Sequence, residues 1–175
     1  MAMTCQVMSR DRQTGAMSEL QYDPMSHREK IDWMLESQGW GIEPVRAVDD
    51  PRSPFPTYSY TFGLEALVGH PESCLVGLSA AASQGLLDMT VSNLKNGVQL
   101  PIDQPFVGLL DNDLRSMLVT VDLATHRDRF PTPPIIYGDQ PWRMVQLVWP
   151  HQSGVFPWED GWPHEMRLTQ PILDH

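Results

Sequence analysis

The chain has 175 residues, with 12 basic and 22 acidic side chains and a formal net charge of −10. That length fits one domain, and a hydrophobic content of 41% is enough for a core, which excludes wholesale disorder. The acidic balance argues against a nucleic-acid-binding face, which needs clustered Lys and Arg, and against an anionic membrane surface as partner.

The two cysteines, Cys5 and Cys74, allow one disulfide at most, so no disulfide framework exists and a reduced, cytoplasmic setting fits best. No apolar run approaches the roughly 18–20 residues needed to cross a bilayer. Residues 1–24, small and polar with two arginines, read as a mobile leader, and residues 25–175 as a single domain.

In chain order, the first element is a helix over residues 27–38. Ser26 and Glu29 form a capping box, Ile31, Met34 and Leu35 recur at helical spacing, and Gly39 is a natural left-handed stop. Residues 41–48 alternate loosely and read as a strand, followed by a Pro-rich loop. Residues 57–64 are aromatic and β-branched, as strands are, with Tyr58, Tyr60 and Phe62 expected on one face and Ser59 and Thr61 on the other. Residues 65–72 read as a connection and residues 75–78 as a short strand buried on both faces, in which Cys74 packs as a small hydrophobe. Ser79 caps a second helix, about 80–96, with Leu86, Leu87, Val91 and Leu94 as its core stripe.

Residues 106–110 and 117–123 read as two strands of a hairpin about the Asp111-Asn112-Asp113 turn. A polar, Pro-rich loop over 126–134 leads to a short strand over 135–137, and residues 143–149 alternate as a last strand. No regular element of length is expected beyond Pro150. About six strands and two main helices, mostly in sequence rather than alternating, predict an α+β fold with a largely antiparallel sheet or a partly open barrel.

Several residue groups are candidates for chemistry. His70 and Glu72, in the connection Gly69-His70-Pro71-Glu72, suit a general acid–base pair if they lie within hydrogen-bond reach of each other; the same residues also suit a plain turn. Tyr60, Thr61 and Gln146 would then orient a substrate. The late segment carries Trp149 and Trp158 among several indoles, and rings of that size either line a ligand pocket or lid the sheet. No zinc spacing, nucleophile elbow or phosphate-binding glycine motif is present, so no metal site is expected and nucleotide and serine-hydrolase chemistries are disfavoured.

The ordered set Tyr60-Thr61-Phe62-Gly63-Leu64, Gly69-His70-Pro71-Glu72, Gly77-Leu78, Gln146-Leu147-Val148-Trp149-Pro150, Gly154, Phe156-Pro157-Trp158-Glu159 and Gln170-Pro171, with Gly39-Trp40 ahead of it, resembles the bacterial and phage family called domain of unknown function 4262. The likeness spans about residues 38–173. It implies a small, soluble, cytoplasmic domain and strengthens His70, Glu72, Gln146 and Trp149 as site candidates; it brings no activity with it. This chain departs from the family pattern at His151, where an acidic residue is common. In architecture, Thr61-Phe62-Gly63-Leu64, Leu75-Val76-Gly77-Leu78 and Ile136-Tyr137-Gly138 are similar to pieces of flavin-reductase-like split barrels, which implies a flavin, although the basic and hydroxyl residues that hold its phosphate are scarce near these matches.

Three readings follow. The first is an accessory or binding domain that uses an aromatic-lined cleft (Tyr60, Thr61, Gln146, Trp149, Trp158) for a protein or small-molecule ligand. The second is an enzyme whose His70 and Glu72 supply acid–base chemistry. The third is a split barrel that binds a flavin.

Overall fold

A computed structural model describes residues 25–175; the expected leader, with Cys5, lies outside the described residues. Helix α1 (His27–Gln38) begins at the Ser26–Glu29 capping box and ends at Gly39, whose φ of 82° is left-handed. The strands are β1 (Gly41–Val45), β2 (Tyr58–Phe62), β3 (Glu72–Val76), β4 (Pro105–Phe106), β5 (Ser116–Thr120) and β6 (Met144–Val148). The longer second helix, α3 (Ala80–Lys95), is capped by Ser79 as its sequence demands. Three short helices, α2 (Leu64–Val68), α4 (Leu123–His126) and α5 (Thr132–Tyr137), lie between strands.

The strands form one open sheet in the order β1-β2-β3-β6-β5-β4. Four of its pairings are antiparallel, and the central pairing, β3 with β6, is parallel, with Glu72 opposite Met144 and Cys74 opposite Gln146. This is the α+β class that the sequence implies.

Three local readings need correction. Residues 135–137 are helical rather than extended: Pro133 and Pro134 occupy the first turn of α5, where a missing amide hydrogen costs no intrahelical bond. The connection after β2 contains α2, a single turn of good helix formers between Gly63 and Gly69. The strand expected over 106–110 shrinks to Pro105–Phe106, because Gly108 turns the chain with φ 95°.

Strands β2, β3 and β6 are buried along their whole length. On one face, Leu75, Leu118, Val145 and Leu147 pack with Leu87 of α3, while Val91 of α3 packs with Trp40 and Leu64. On the other, Tyr58, Tyr60, Cys74, Val76 and Met144 pack with Phe130, Trp142 and Leu173. Tyr58 and Tyr60 stack with ring centroids 6.2 Å apart, and Phe130 sits edge-on to both. Helices thus cover one face, and chain without long regular elements covers the other.

The second covering depends on side-chain amides. Gln146, in the middle of β6, donates Nε2–H to Pro171 O at 2.9 Å and accepts from Leu173 N at 2.9 Å. Gln170 accepts from Trp149 N at 3.0 Å and donates to Trp149 O at 2.8 Å. Each amide supplies the donor and acceptor that a neighbouring strand would otherwise offer. Gly77 lets this segment approach: its φ is 87°, and a Cβ there would stand 2.0 Å from Thr169 O.

Two glycine substitutions should therefore diverge. Gly77→Ala adds a clash to a left-handed backbone, and its urea midpoint should correspond to a loss of roughly 1–3 kcal/mol. Gly85, inside α3 with no atom near its missing Cβ, should gain up to about 1 kcal/mol as Gly85→Ala.

Candidate functional site

The end of the sheet where β3 and β6 begin gathers most of the polar side chains of interest. Glu72, the first residue of β3, is fully buried. Its Oε2 accepts from Thr61 Oγ1 at 2.6 Å, and its Oε1 accepts from Glu65 N at 3.3 Å and from the hydroxyl of Tyr137. The donors form a chain. Thr61 Oγ1 itself accepts from Ser73 N at 2.8 Å, and Tyr137 Oη accepts from Ala66 N at 3.4 Å. The Glu72 carboxyl thereby ties β2, α2 and α5 together at one point.

Burial pushes the Glu72 carboxyl above its ordinary value, against the downward pull of Thr61, Tyr137 and the α2 amides. Burial and the adjoining Glu72 charge both raise the Tyr137 phenol. Tyr60 Oη is 3.0 Å from Thr132 Oγ1, and burial lifts its phenol to about 12. Burial likewise raises the Cys74 thiol, so it packs as a neutral hydrophobe.

His70 occupies the turn between α2 and β3. Its Nδ1 lies 2.8 Å from Pro71 O, and a carbonyl only accepts, so Nδ1 carries the proton and Nε2 presents a lone pair. That Nε2 is buried and has no hydrogen-bond partner. Burial lowers the imidazole below its ordinary value of 6.5, which keeps the ring neutral at pH 7. Beside it lies a cavity of about 360 Å³ whose walls include Val68, His70, Leu94, Val98, Gln99 and Leu100. Arg143 closes the outer side of the turn, with Nε 2.7 Å from Glu65 Oε1 and Nη2 donating to Gly69 O at 2.9 Å.

The candidates separate into groups. Thr61 and Glu72 meet directly, and Tyr60 stands one residue along β2 with its hydroxyl turned to Thr132. No hydrogen bond joins His70 to Glu72 among the described residues; His70 lines the cavity, and Glu72 bonds at the α2–α5 junction. Gln146 holds the C-terminal segment, and Trp149 donates Nε1–H to Val76 O at 2.9 Å.

The aromatic cluster is present in two parts. Trp149 lies 6.0 Å from Trp162, which has His151 at 6.4 Å, all centroid distances. Trp158, 49% exposed, stacks on Phe156 at 4.9 Å, with the Arg115 guanidinium over the other partner ring at 4.8 Å and bound to Glu159 at 2.8 Å. Among the described residues no group of three or more His, Cys, Asp or Glu side chains is placed to hold a metal ion, and no helix is long and apolar enough to cross a membrane.

Tyr137 and Thr132 are the site residues that sequence pattern alone does not reveal. The run Thr132-Pro133-Pro134 is the signal: prolines in a first helical turn would have placed Tyr137 one turn on, at the helix end.

Glu72 generates a pH prediction. Its folded value lies above the ordinary carboxylate value of 4.5, so the fold penalises the charged form. The penalty is absent below that value and grows as pH rises through it. Urea unfolding from pH 3.5 to 7 should show the wild type losing stability relative to Glu72→Gln across this interval. Parallel curves would mean that Glu72 ionises in the fold as freely as in the unfolded chain.

Residues 34–163 match the family described as Domain of unknown function (DUF4262). No curated protein and no solved structure matches the chain.

Proposed function

The chain belongs to the family of the domain of unknown function 4262, and we propose that it works there as a small-ligand-binding domain whose ligand sits in the cavity beside His70. One observation carries this reading: His70, a neutral imidazole whose buried Nε2 has no partner, lines a cavity of about 360 Å³. Pockets for small molecules span roughly 300–1,000 Å³ and combine apolar walls with a few fixed polar groups. The exposed lining here is more polar than apolar: Gln99 offers both a donor and an acceptor, and Val68, Leu94, Val98 and Leu100 contribute the apolar part.

The ligand class follows from the imidazole. Nδ1–H is fixed on Pro71 O, so Nε2 can only accept, and the ligand must present a hydroxyl, amide or ammonium hydrogen. Any acid–base chemistry at this cavity would fall to His70 acting as a base by itself, with Glu72 holding the turn from behind. A flavin has little support: the sheet is open, and the Ile136-Tyr137-Gly138 piece of the split-barrel likeness is the end of a helix.

Ligand-detected NMR screening of small hydroxyl- and ammonium-bearing molecules, with the His70 ring nitrogens as reporter, tests the reading. A binder should shift Nε2 selectively, and His70→Phe, which keeps a ring but removes the acceptor, should weaken it about tenfold, the worth of one good hydrogen bond. Binders that ignore His70→Phe, or none across the screen, would defeat it.

A second reading rests on Trp158. A half-exposed indole, stacked on a Phe156 ring that Arg115 covers, is the kind of anchor on which protein interfaces concentrate their affinity. In that case Trp158→Ala should abolish capture of a protein partner while leaving the unfolding midpoint where it was. A change in the midpoint alone would assign the ring to packing.

A further inference from the structure

Pro71, next to His70 in the chain, lines a separate cavity of about 200 Å³, where β5 ends and β6 begins. We propose that it is a second binding site, for a compact apolar molecule carrying a carboxylate. Ile102, Val121, Leu123 and Met144 contribute apolar walls, and Trp142 and Arg143 complete the lining that matters. Trp142 is only 4% exposed, and its Nε1–H is buried with no acceptor. An indole nitrogen can only donate, and burying a donor without an acceptor is costly enough that native folds seldom do it. A ligand that brings an acceptor satisfies it.

The charges nearby select an anionic acceptor. The Arg127 guanidinium lies over the Trp142 ring, 5.4 Å from its centroid, and Arg143 is part of the wall. None of the neighbouring carboxylates bonds the Trp142 N–H: Glu65 is paired with Arg143, Asp122 accepts from Ala124 N and Thr125 Oγ1, and Asp103 accepts from Thr120 N and Oγ1. Of the Arg143 nitrogens, Nε and Nη2 have partners and Nη1 makes no hydrogen bond among the described residues. A carboxylate bonded to the Trp142 N–H and to Arg143 would make charge-assisted bonds, stronger than those of a neutral carbonyl. The volume sets the size of the rest of the molecule. A dry apolar cavity of about 150 Å³ takes benzene, so one ring or one branched aliphatic chain fits here.

This site stands apart from the His70 cavity, and its test keeps the two distinct. Benzoate is titrated into the full chain while the indole N–H resonances are followed by ¹H–¹⁵N correlation, the Trp142 signal being assigned by its loss in Trp142→Phe. The expected result is a saturable downfield shift confined to Trp142, with toluene binding at least tenfold more weakly. Ile102→Phe, which fills the cavity without touching the donor, should abolish the shift, and His70→Phe should leave it unchanged. It is Ile102→Phe that decides the matter should Trp142→Phe fail to fold. The proposal is overturned by the absence of a saturable shift, by a shift that persists in Ile102→Phe, or by toluene matching benzoate, which would make the cavity an apolar void only.

Discussion

The fold is organised by polar side chains that the sheet places where water cannot reach them. A buried amide, hydroxyl or carboxyl without a partner costs about 1–3 kcal/mol or more, a large share of the stability of a domain this size. Strands β2, β3 and β6 carry Tyr60, Thr61, Glu72 and Gln146 in their fully buried stretches. Each of these recruits chain from outside the sheet or from the next strand. Tyr60 takes Thr132; Glu72 takes Thr61, α2 and Tyr137; Gln146 takes residues 171–173. Apolar contacts supply the bulk of the driving force, but these bonds decide which segment covers which part of the sheet.

The same demand sets the two proposed sites apart. Glu72, Gln146 and Trp149 make their hydrogen bonds within the protein. His70 and Trp142 differ: each keeps one ring nitrogen buried and unpartnered, as the hydroxyls of Ser73, Ser83 and Ser116 also are, but His70 and Trp142 line cavities. They flank the stretch that opens β3 and the stretch that opens β6. Parallel pairing of those two strands puts both starts at one end of the sheet, which brings the two cavities near each other.

Much of this was legible in the sequence because the signals were local. The Ser26–Glu29 box, the Ser79 cap and the alternation of residues 143–149 each specify an element within a few residues, and each element formed. The link from Thr61 to Glu72 was within reach too, since adjacent strands carry both. Tyr137 was hidden for a different reason: it meets Glu72 across 65 residues of chain, and β-branched Ile135 and Ile136 outweighed the proline signal that places it in a helix. Trp149 looked like a cleft residue on aromatic content, yet whether an indole faces a ligand or a carbonyl depends on tertiary geometry, and here it faces Val76 O.

The position of the Gln146 clamp in the chain has a consequence for how the protein is made. Synthesis runs from the N-terminus, so β3 leaves the ribosome about seventy residues before its parallel neighbour β6, and the segment that satisfies Gln146 follows later still. Until then the nascent sheet lacks its central strand and offers β3 as an open edge able to pair with another chain. Such long-range pairing is intrinsically slow. Folding would therefore come as a late, cooperative closure, once β6 and residues 171–173 are both available, rather than by successive strands.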